Sequence, residues 1–278
     1  GPQIWDSIFL PGKHAGVQIT PGETPIPNLQ PATSKTKQDL ELELLSSLNK
    51  QHLTNRESDN SLKARISSFE TAQGLQTEAP EIMDLSNETQ ATLDLYGATQ
   101  ENPTSYASQV IMARRMIESG VRFVEVIDAV GACRDNWDSA HRDIASHEKY
   151  AKRVDQPAAA LIRDLKQRGL LNDVLIVFCT EFGRTPWAQD GKGTKSRAHH
   201  PHAFSCWLAG AGIKGGTVYG ETDDIGNKVI HNAVHVHDYH ATILHLMGLD
   251  HEKLTYRHAG RDFRLTDVHG RVVHDILS

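Results

Sequence analysis

The chain has 278 residues, of which 38% are hydrophobic and 23% charged, with a formal net charge of -6. These values describe a globular protein with a buried core and exclude the disordered and fibrous classes. The mild acidity argues against a nucleic-acid partner, whose binders carry a basic face, and no apolar run approaches the roughly 20 residues that span a bilayer.

The first half of the sequence predicts an arm and a set of helices. Residues 1–35 are rich in proline and lack periodicity, which predicts an extended arm. Apolar residues recur at helical spacing over 38–53 and 58–76, and Ala79-Pro80 is expected to end the second helix. Shorter helices are predicted at 87–96 and 105–119. We therefore expect a helical segment over 36–120 that packs on a core.

The second half predicts an α/β core over residues 121–278. Apolar and polar residues alternate over 121–127, which is typical of a strand, and a helix is expected from 150 to 168. The unbroken apolar run Val174–Cys179 predicts a strand buried on both faces of a sheet. Strand, helix and strand in this order predict a βαβ unit. A further strand is predicted at 203–209 and a helix at 238–246.

Cysteine usage excludes a disulfide scaffold. The three cysteines, Cys133, Cys179 and Cys206, form no Cys-x-x-Cys pair, and two of them fall in predicted apolar strands. We expect them to be buried thiols.

The glycine-rich segment 210–216 does not open a helix, so it does not fit a dinucleotide fingerprint and no nucleotide cofactor is predicted.

Histidine is concentrated in the second half, where 14 of 16 histidines follow residue 130. Histidine is the commonest metal ligand and general base, so the chemistry is expected there. Four loops carry candidate groups: Asp138 with His141 and His147, Glu181 with Arg184, His199 to His202, and His235 to His240. Ligands collect at the carboxyl edge of an α/β sheet, and carboxylates with imidazoles at such an edge suit a divalent ion.

Each candidate also has a structural alternative. Asp138 could cap the helix that follows it, and His237 with Asp238 sits where a helix N-cap is expected. Arg184 is either the counter-charge of Glu181 at the end of a buried strand or a fork for an anionic substrate.

Several motifs resemble one bacterial family. Residues Thr180–Pro186 (Thr-Glu-Phe-Gly-Arg-Thr-Pro), Arg197–His199 and 208–220 are similar to domain-of-unknown-function family 1501, which is grouped with the alkaline phosphatase and sulfatase superfamily. The similarity extends over essentially the whole chain. It implies an α/β fold, a three-layer α/β/α sandwich of alkaline-phosphatase-like type, incomplete at the N-terminus and with a helical insertion.

The resemblance also implies a metal centre. In that superfamily an Asp and a His from one loop, an acid after the central strand and a late histidine hold the ions. The matching residues are Asp138, either His141 or His147, Glu181 and His199, with zinc, manganese or calcium as the expected divalent metal. Arg184 is the expected catalytic residue, stabilising developing negative charge.

The sequence departs from the superfamily pattern in three places. Phe182 stands where a histidine is usual, the tryptophan loop has an extra residue before His141, and the segment that supplies the nucleophile and the first metal-binding Asp is expected to be missing. Two functions stay open: a metal-dependent hydrolase of small anionic phosphate or sulfate esters, and a non-catalytic metal- or anion-binding module. An exposed sheet edge would allow a homo-oligomer, and export to the periplasm is implied by the resemblance alone.

Overall fold

The computed structural model describes residues 10, 14–20, 25–26, 29–30, 32–128 and 136–278. Its described part is a mixed α/β structure that divides into two compact units, residues 1–93 with 98–124 and residues 94–97 with 125–278. Most of the predicted arm, and Cys133, lie outside the described residues. Among the helices that are described, none combines the length and the apolar character needed to cross a membrane.

The first unit is helical. Its long helices are α1 (Lys35–Thr54), α2 (Asn60–Met83) and, after the short helix α3 (Gln90–Tyr96), α4 (Tyr106–Glu118). The predicted helices are confirmed, but α2 does not end at Ala79-Pro80. A proline biases the preceding residue away from helical backbone without excluding it, and α2 continues to Met83 with Ala79 buried.

The apolar face predicted for α1 is not buried. No residue of this helix is buried, and Leu40, Leu44 and Leu48 are each more than half exposed. Helix α4 instead carries the core of the unit, with Val110 and Ile111 almost fully buried. The Ser105 hydroxyl caps its N-terminus by accepting from the Ser108 backbone N–H.

A buried ion-pair network joins α4 to the segment before α3. One Glu88 carboxylate oxygen accepts from Arg114 Nη2 and from Arg115 Nη1, both at 2.8 Å, and Arg114 Nη1 also pairs with Glu118 at 2.6 Å. The Arg114 and Glu88 side chains are 3% and 6% exposed. Charges this deeply buried are tolerated only when paired, so the network fixes how the helices meet.

The second unit is built on helix α5 (His147–Gln167), which confirms the helix predicted at 150–168. Its buried face includes Val154 and Leu165. Tyr96, at the end of α3, is fully buried, and its hydroxyl donates to the Asp164 carboxylate at 2.9 Å. Residues 94–97, at the end of α3, belong to this second unit, and the buried hydrogen bond holds them against α5.

The sheets of the second unit are small and antiparallel, which corrects two predictions. Residues 121–127 form no strand; Phe123 is 70% exposed, and without a partner strand an alternating segment stays irregular. Strand β1 (Leu175–Phe178) is only half-buried and pairs antiparallel with a strand later in the chain. The predicted βαβ unit and the strand buried on both faces are therefore wrong for the described residues.

Eight strands form four two-stranded ladders in the described part of this unit. In chain order they are β1, β2 (Gly183–Arg184), β3 (His199–His200), β4 (Trp207–Gly210), β5 (Glu221–Thr222), β6 (Val229–His231), β7 (Thr255–His258) and β8 (Arg261–Arg264), pairing as β1–β4, β2–β3, β5–β6 and β7–β8. Helix α6 (Val236–Leu246) precedes β7 and confirms the last predicted helix. The β2–β3 ladder is the one that positions the candidate site.

Candidate metal centre

A short 3-10 helix, residues 137–141, presents the first two groups of the site. Its N-cap is Asn136, whose side-chain oxygen accepts from the Asp138 N–H at 3.0 Å. The Trp137 indole N–H donates to the half-buried Asp128 carboxylate at 2.8 Å. Asp138 and His141 lie three residues apart, so one turn of a 3-10 helix brings them to the same side.

The β2–β3 hairpin brings the third group, His199, to this helix. Arg184 on β2 pairs with His199 on β3. The segment before His199 is also tied to the 3-10 helix, because the Arg197 N–H donates to the Ala140 carbonyl at 2.7 Å. Residues about sixty positions apart are thus held together by backbone hydrogen bonds rather than by side chains alone.

Gly183 is required for this hairpin to close. A Cβ atom at this position would lie 2.6 Å from the Ala203 carbonyl oxygen and 2.9 Å from Phe204 Cβ. Both neighbours are fixed parts of the fold, so a side chain here would displace the strand that carries Arg184. The glycine of the Glu-Phe-Gly-Arg motif therefore has a steric role beside the site.

Three ligand atoms converge where the hairpin meets the 3-10 helix. Asp138 Oδ1 lies 3.3 Å from His141 Nε2 and 3.1 Å from His199 Nε2, and the two ring nitrogens are 2.9 Å apart. In a tetrahedral zinc site with bonds of about 2.0–2.1 Å, neighbouring ligand atoms are about 3.3 Å apart. The observed separations equal or fall slightly below that value, so the donor set fits a divalent ion.

The second nitrogen of His141 has its own partner. His141 Nδ1 lies 2.7 Å from the Gln189 side-chain oxygen. An amide oxygen only accepts, so Nδ1 carries the hydrogen and Nε2 presents its lone pair to the cluster. Outer hydrogen bonds of this kind fix the tautomer and orientation of metal-binding histidines. Gln189 therefore prepares His141 for ligation.

Phe182 orients the other histidine. Its ring stacks on the His199 ring with centroids 3.9 Å apart and an interplanar angle of 30°. This contact restricts the rotation of the imidazole without using either of its nitrogens. Phe182 thus supports a candidate ligand.

Arg184 is the charged neighbour of the cluster. Its Nη2 donates to Asp138 Oδ1 at 3.0 Å, while its Nη1 has no hydrogen-bond partner among the described residues. The Arg184 guanidinium, followed by the His199 ring, holds the pKa of the Asp138 carboxyl below its usual range. Asp138 is therefore an ionised acceptor at neutral pH.

Two predicted ligands lie apart from these three atoms. His147 Nε2 donates to the Trp137 carbonyl oxygen at 2.6 Å and so carries a hydrogen there, and its ring packs edge-on against the Trp137 indole. The Glu181 carboxylate is exposed and accepts from the Thr180 hydroxyl at 2.9 Å. Arg184 is therefore not the counter-charge of Glu181; it pairs with Asp138.

His200 and His235, from the two remaining histidine motifs, have structural partners. His200 is buried, and its Nε2 donates to the Asn227 carbonyl at 2.7 Å. At the start of α6 the N-cap is His235, and Asp238 completes a capping box by accepting from the His235 N–H. This arrangement supports the capping alternative for the segment.

Sequence reasoning missed Gln189 and the role of Phe182. Gln189 sits in a loop without periodicity, and its position depends on the fully buried Ser196, whose hydroxyl accepts from the Gln189 N–H at 3.0 Å. For Phe182, the sequence pattern indicates only the absence of a histidine. The sequence signal available for either was their proximity to motif residues, which does not specify a contact.

Replacing Gln189 with leucine is expected to weaken zinc or manganese binding by about 10- to 100-fold, because His141 loses the partner that fixes its tautomer. Leucine keeps a similar volume. The dissociation constant is measured by competition with a chromogenic chelator. The control is Lys192→Ala, which removes a charge from the same loop. Equal metal affinities of the two variants would contradict a role of Gln189.

The sequence model of the family described as "Protein of unknown function (DUF1501)" matches residues 1–277. No curated protein and no solved structure matches the chain.

Proposed function

Because the chain belongs to the DUF1501 family of unknown function, we propose on chemical grounds that it is a metal-dependent hydrolase-like protein acting on phosphate or sulfate esters. The observation that carries the proposal is the convergence of Asp138, His141 and His199 within the reach of one ion. We propose further that the fold of this family is the three-layer α/β/α sandwich of the alkaline phosphatase type.

The donor set favours zinc or manganese over calcium. Two imidazole nitrogens and one carboxylate oxygen are donors that suit borderline cations, whereas calcium takes about six to eight oxygen ligands. The side chain of His141 is 29% exposed, that of Asp138 41% and that of His199 46%. Three protein ligands open to solvent leave a coordination position for water or substrate, as catalytic sites require.

The protein's own groups would bind and orient the ester. When bound, a divalent ion supplies Lewis-acid chemistry and charge neutralisation at ester oxygens. The Arg184 guanidinium lies beside the cluster, with Nη2 on Asp138 Oδ1 at 3.0 Å, and its positive charge can stabilise an anionic substrate oxygen at the ion. Gln189 and Phe182 hold the two histidines in place. Together these contacts support recognition of a small dianionic or monoanionic ester.

A non-catalytic metal-binding module is the second candidate. It is favoured by the engagement of Arg184 with Asp138 at 3.0 Å, which stabilises the site without a substrate. The position of Glu181, held by Thr180 outside the three-atom cluster, also favours it. In that case the protein binds the ion and an anion but does not turn over an ester.

Turnover by the metal-loaded chain distinguishes the two candidates. We expect nitrophenyl phosphate or nitrophenyl sulfate to be hydrolysed only after zinc or manganese is added. His199→Ala is expected to abolish this activity, because it removes one of three ligands. His202→Ala removes an exposed histidine from the same loop and should leave the activity unchanged.

The possible results separate cleanly. Loss of turnover in His199→Ala with retention in His202→Ala supports the hydrolase. Metal binding without turnover of either ester supports the module and contradicts the hydrolase. Equal activity of both variants would remove His199 from the ligand set.

A further inference from the structure

Two cysteines lie at one end of the β1–β4 ladder. The register pairs Leu175 with Gly210 and ends with Phe178 opposite Trp207. Continued by one residue, the same antiparallel register places Cys179 opposite Cys206. Both thiols are free, Cys179 exposed and Cys206 half-buried. The prediction that the three cysteines are buried thiols is therefore wrong for Cys179 and only partly met by Cys206, and Cys133 lies outside the described residues.

Cross-strand neighbours at such a position satisfy the geometry of a disulfide. Directly opposed residues of an antiparallel pair have Cα atoms about 4.5 or 5.5 Å apart. Disulfides form across Cα separations of about 4.4–6.8 Å. A bond between these cysteines therefore needs rotation of side chains and no movement of the strands.

The two thiols share one face of the ladder. The Phe178 and Trp207 rings stack across the strands with centroids 5.2 Å apart and an interplanar angle of 5°. Because side chains alternate along a strand, the next residues, Cys179 and Cys206, project to the opposite face. Both cysteines therefore point to the same side of the pair.

Tyr239 of α6 covers these thiols on that face. Its hydroxyl is buried and has no nitrogen or oxygen partner among the described residues. Burial, together with the neighbouring Cys206 and Cys179 thiols, raises the pKa of Tyr239. The interaction of Tyr239 with both thiols agrees with their placement opposite each other in the register.

We propose that Cys179 and Cys206 form a dithiol that a low-molecular-weight disulfide oxidises to a cross-strand disulfide. The Cys179 thiolate attacks one sulfur of the oxidant, giving a mixed disulfide and releasing one thiolate. Cys206 then loses its proton to solvent, and its sulfur attacks Cys179 Sγ and expels the second thiolate. Two protein thiols are oxidised by two electrons, and the oxidant is reduced to two thiols.

The exposures of the two residues set their order of reaction. Cys179 is exposed and meets the oxidant first, whereas Cys206 is half-buried. Burial raises the pKa of the Cys206 thiol, although the Thr180 backbone N–H opposes this shift. Cys206 is therefore the resolving thiol, which acts once the mixed disulfide stands opposite it.

The test uses the full chain with Cys133→Ser, which leaves only the proposed pair. The protein is incubated with oxidised glutathione and analysed by non-reducing peptide mapping, thiol titration and size-exclusion chromatography. We expect a Cys179–Cys206 cross-linked peptide, loss of both thiols together and an unchanged elution volume. Dithiothreitol should restore both thiols.

Two further variants resolve the order of steps. With Cys206→Ser added, oxidation should stop at a stable glutathione adduct on Cys179. With Cys179→Ser added, modification of Cys206 should be slower by about tenfold or more, because the remaining thiol is half-buried and mainly protonated.

The deciding measurements, peptide mapping and thiol titration, are made on the Cys133→Ser protein. They therefore do not depend on how the added variants fold. Two thiols that persist after oxidation would overturn the proposal. An adduct that accumulates at Cys179 without the cross-link, or a bond formed between chains, would overturn it as well.

Discussion

Replacing Asp138 with asparagine is expected to weaken zinc or manganese binding by about 100-fold or more. The carboxylate oxygen of Asp138 is the atom shared by His141, His199 and Arg184 in the cluster. Loss of a supporting partner alone typically costs about 10- to 100-fold in metal affinity, and here the ligand itself loses its charge. The substitution also leaves Arg184 beside the ion without its counter-charge, which adds repulsion.

The matched control is Asp143→Asn. Asp143 is 43% exposed, lies five residues away and forms a long ion pair to Lys195, at 3.9 Å. Its side chain also accepts from the Ala145 N–H at 2.9 Å, a hydrogen bond that the asparagine oxygen can keep. Removing its charge changes the net charge of the protein by the same amount as Asp138→Asn. Isothermal titration of both variants with zinc should give a large loss for Asp138→Asn and little change for Asp143→Asn. Similar affinities for the two would exclude Asp138 as a ligand.

Replacing Glu88 with alanine is expected to lower the free energy of unfolding by about 3 kcal/mol, near the lower end of the range for breaking a buried ion pair. Glu88 is the acceptor for both Arg114 and Arg115 at 2.8 Å. Arg114 is almost fully buried and would keep its pair with Glu118, which is why the lower end applies. Urea denaturation followed by far-ultraviolet circular dichroism measures the change.

An exposed ion pair in the same unit provides the comparison. Lys37 and Glu41 lie 3.7 Å apart on α1, with side chains 65% and 57% exposed. Exposed pairs contribute about 0–1 kcal/mol, so Glu41→Ala should barely change stability. If Glu88→Ala were no more destabilising than Glu41→Ala, burial of the network would not explain the packing of α4.

Local signals in the sequence predicted the helices well. Ser105 before α4, Gly97 after α3 and Gly248 after α6 are capping or terminating residues that act within a few positions. These three glycine and serine positions mark helix ends because they satisfy terminal backbone groups or adopt positive φ. Helix ends can therefore be predicted from a single sequence, because they depend on residues within a few positions.

The pairing of strands cannot be predicted from local residues in this way. The apolar run at β1 has the composition of a central parallel strand, yet it pairs antiparallel with β4, and the paired residues lie 29 to 35 positions apart. A run of apolar residues specifies extended backbone and partial burial but not the direction of its partner. The segment 121–127 has the alternating pattern of a strand but forms none, because alternation does not provide a partner strand.

The site was partly predictable because its ligand types are distinctive. The sequence singled out Asp138 and His199 and left His141 and His147 as alternatives. The choice depends on hydrogen bonds made by each ring: His141 faces Gln189 and the cluster, whereas His147 donates to the Trp137 carbonyl. The contact between His141 and Gln189 joins residues about fifty positions apart, and the spacing of motifs in the sequence does not predict it.

The location of a bound ion tests the central claim most directly. Crystals of the full chain soaked with zinc and measured at the zinc absorption edge should show an anomalous peak about 2.0–2.2 Å from Asp138 Oδ1, His141 Nε2 and His199 Nε2. A peak at that position would establish the three-residue centre. An anomalous peak elsewhere, with none between these side chains, would contradict it.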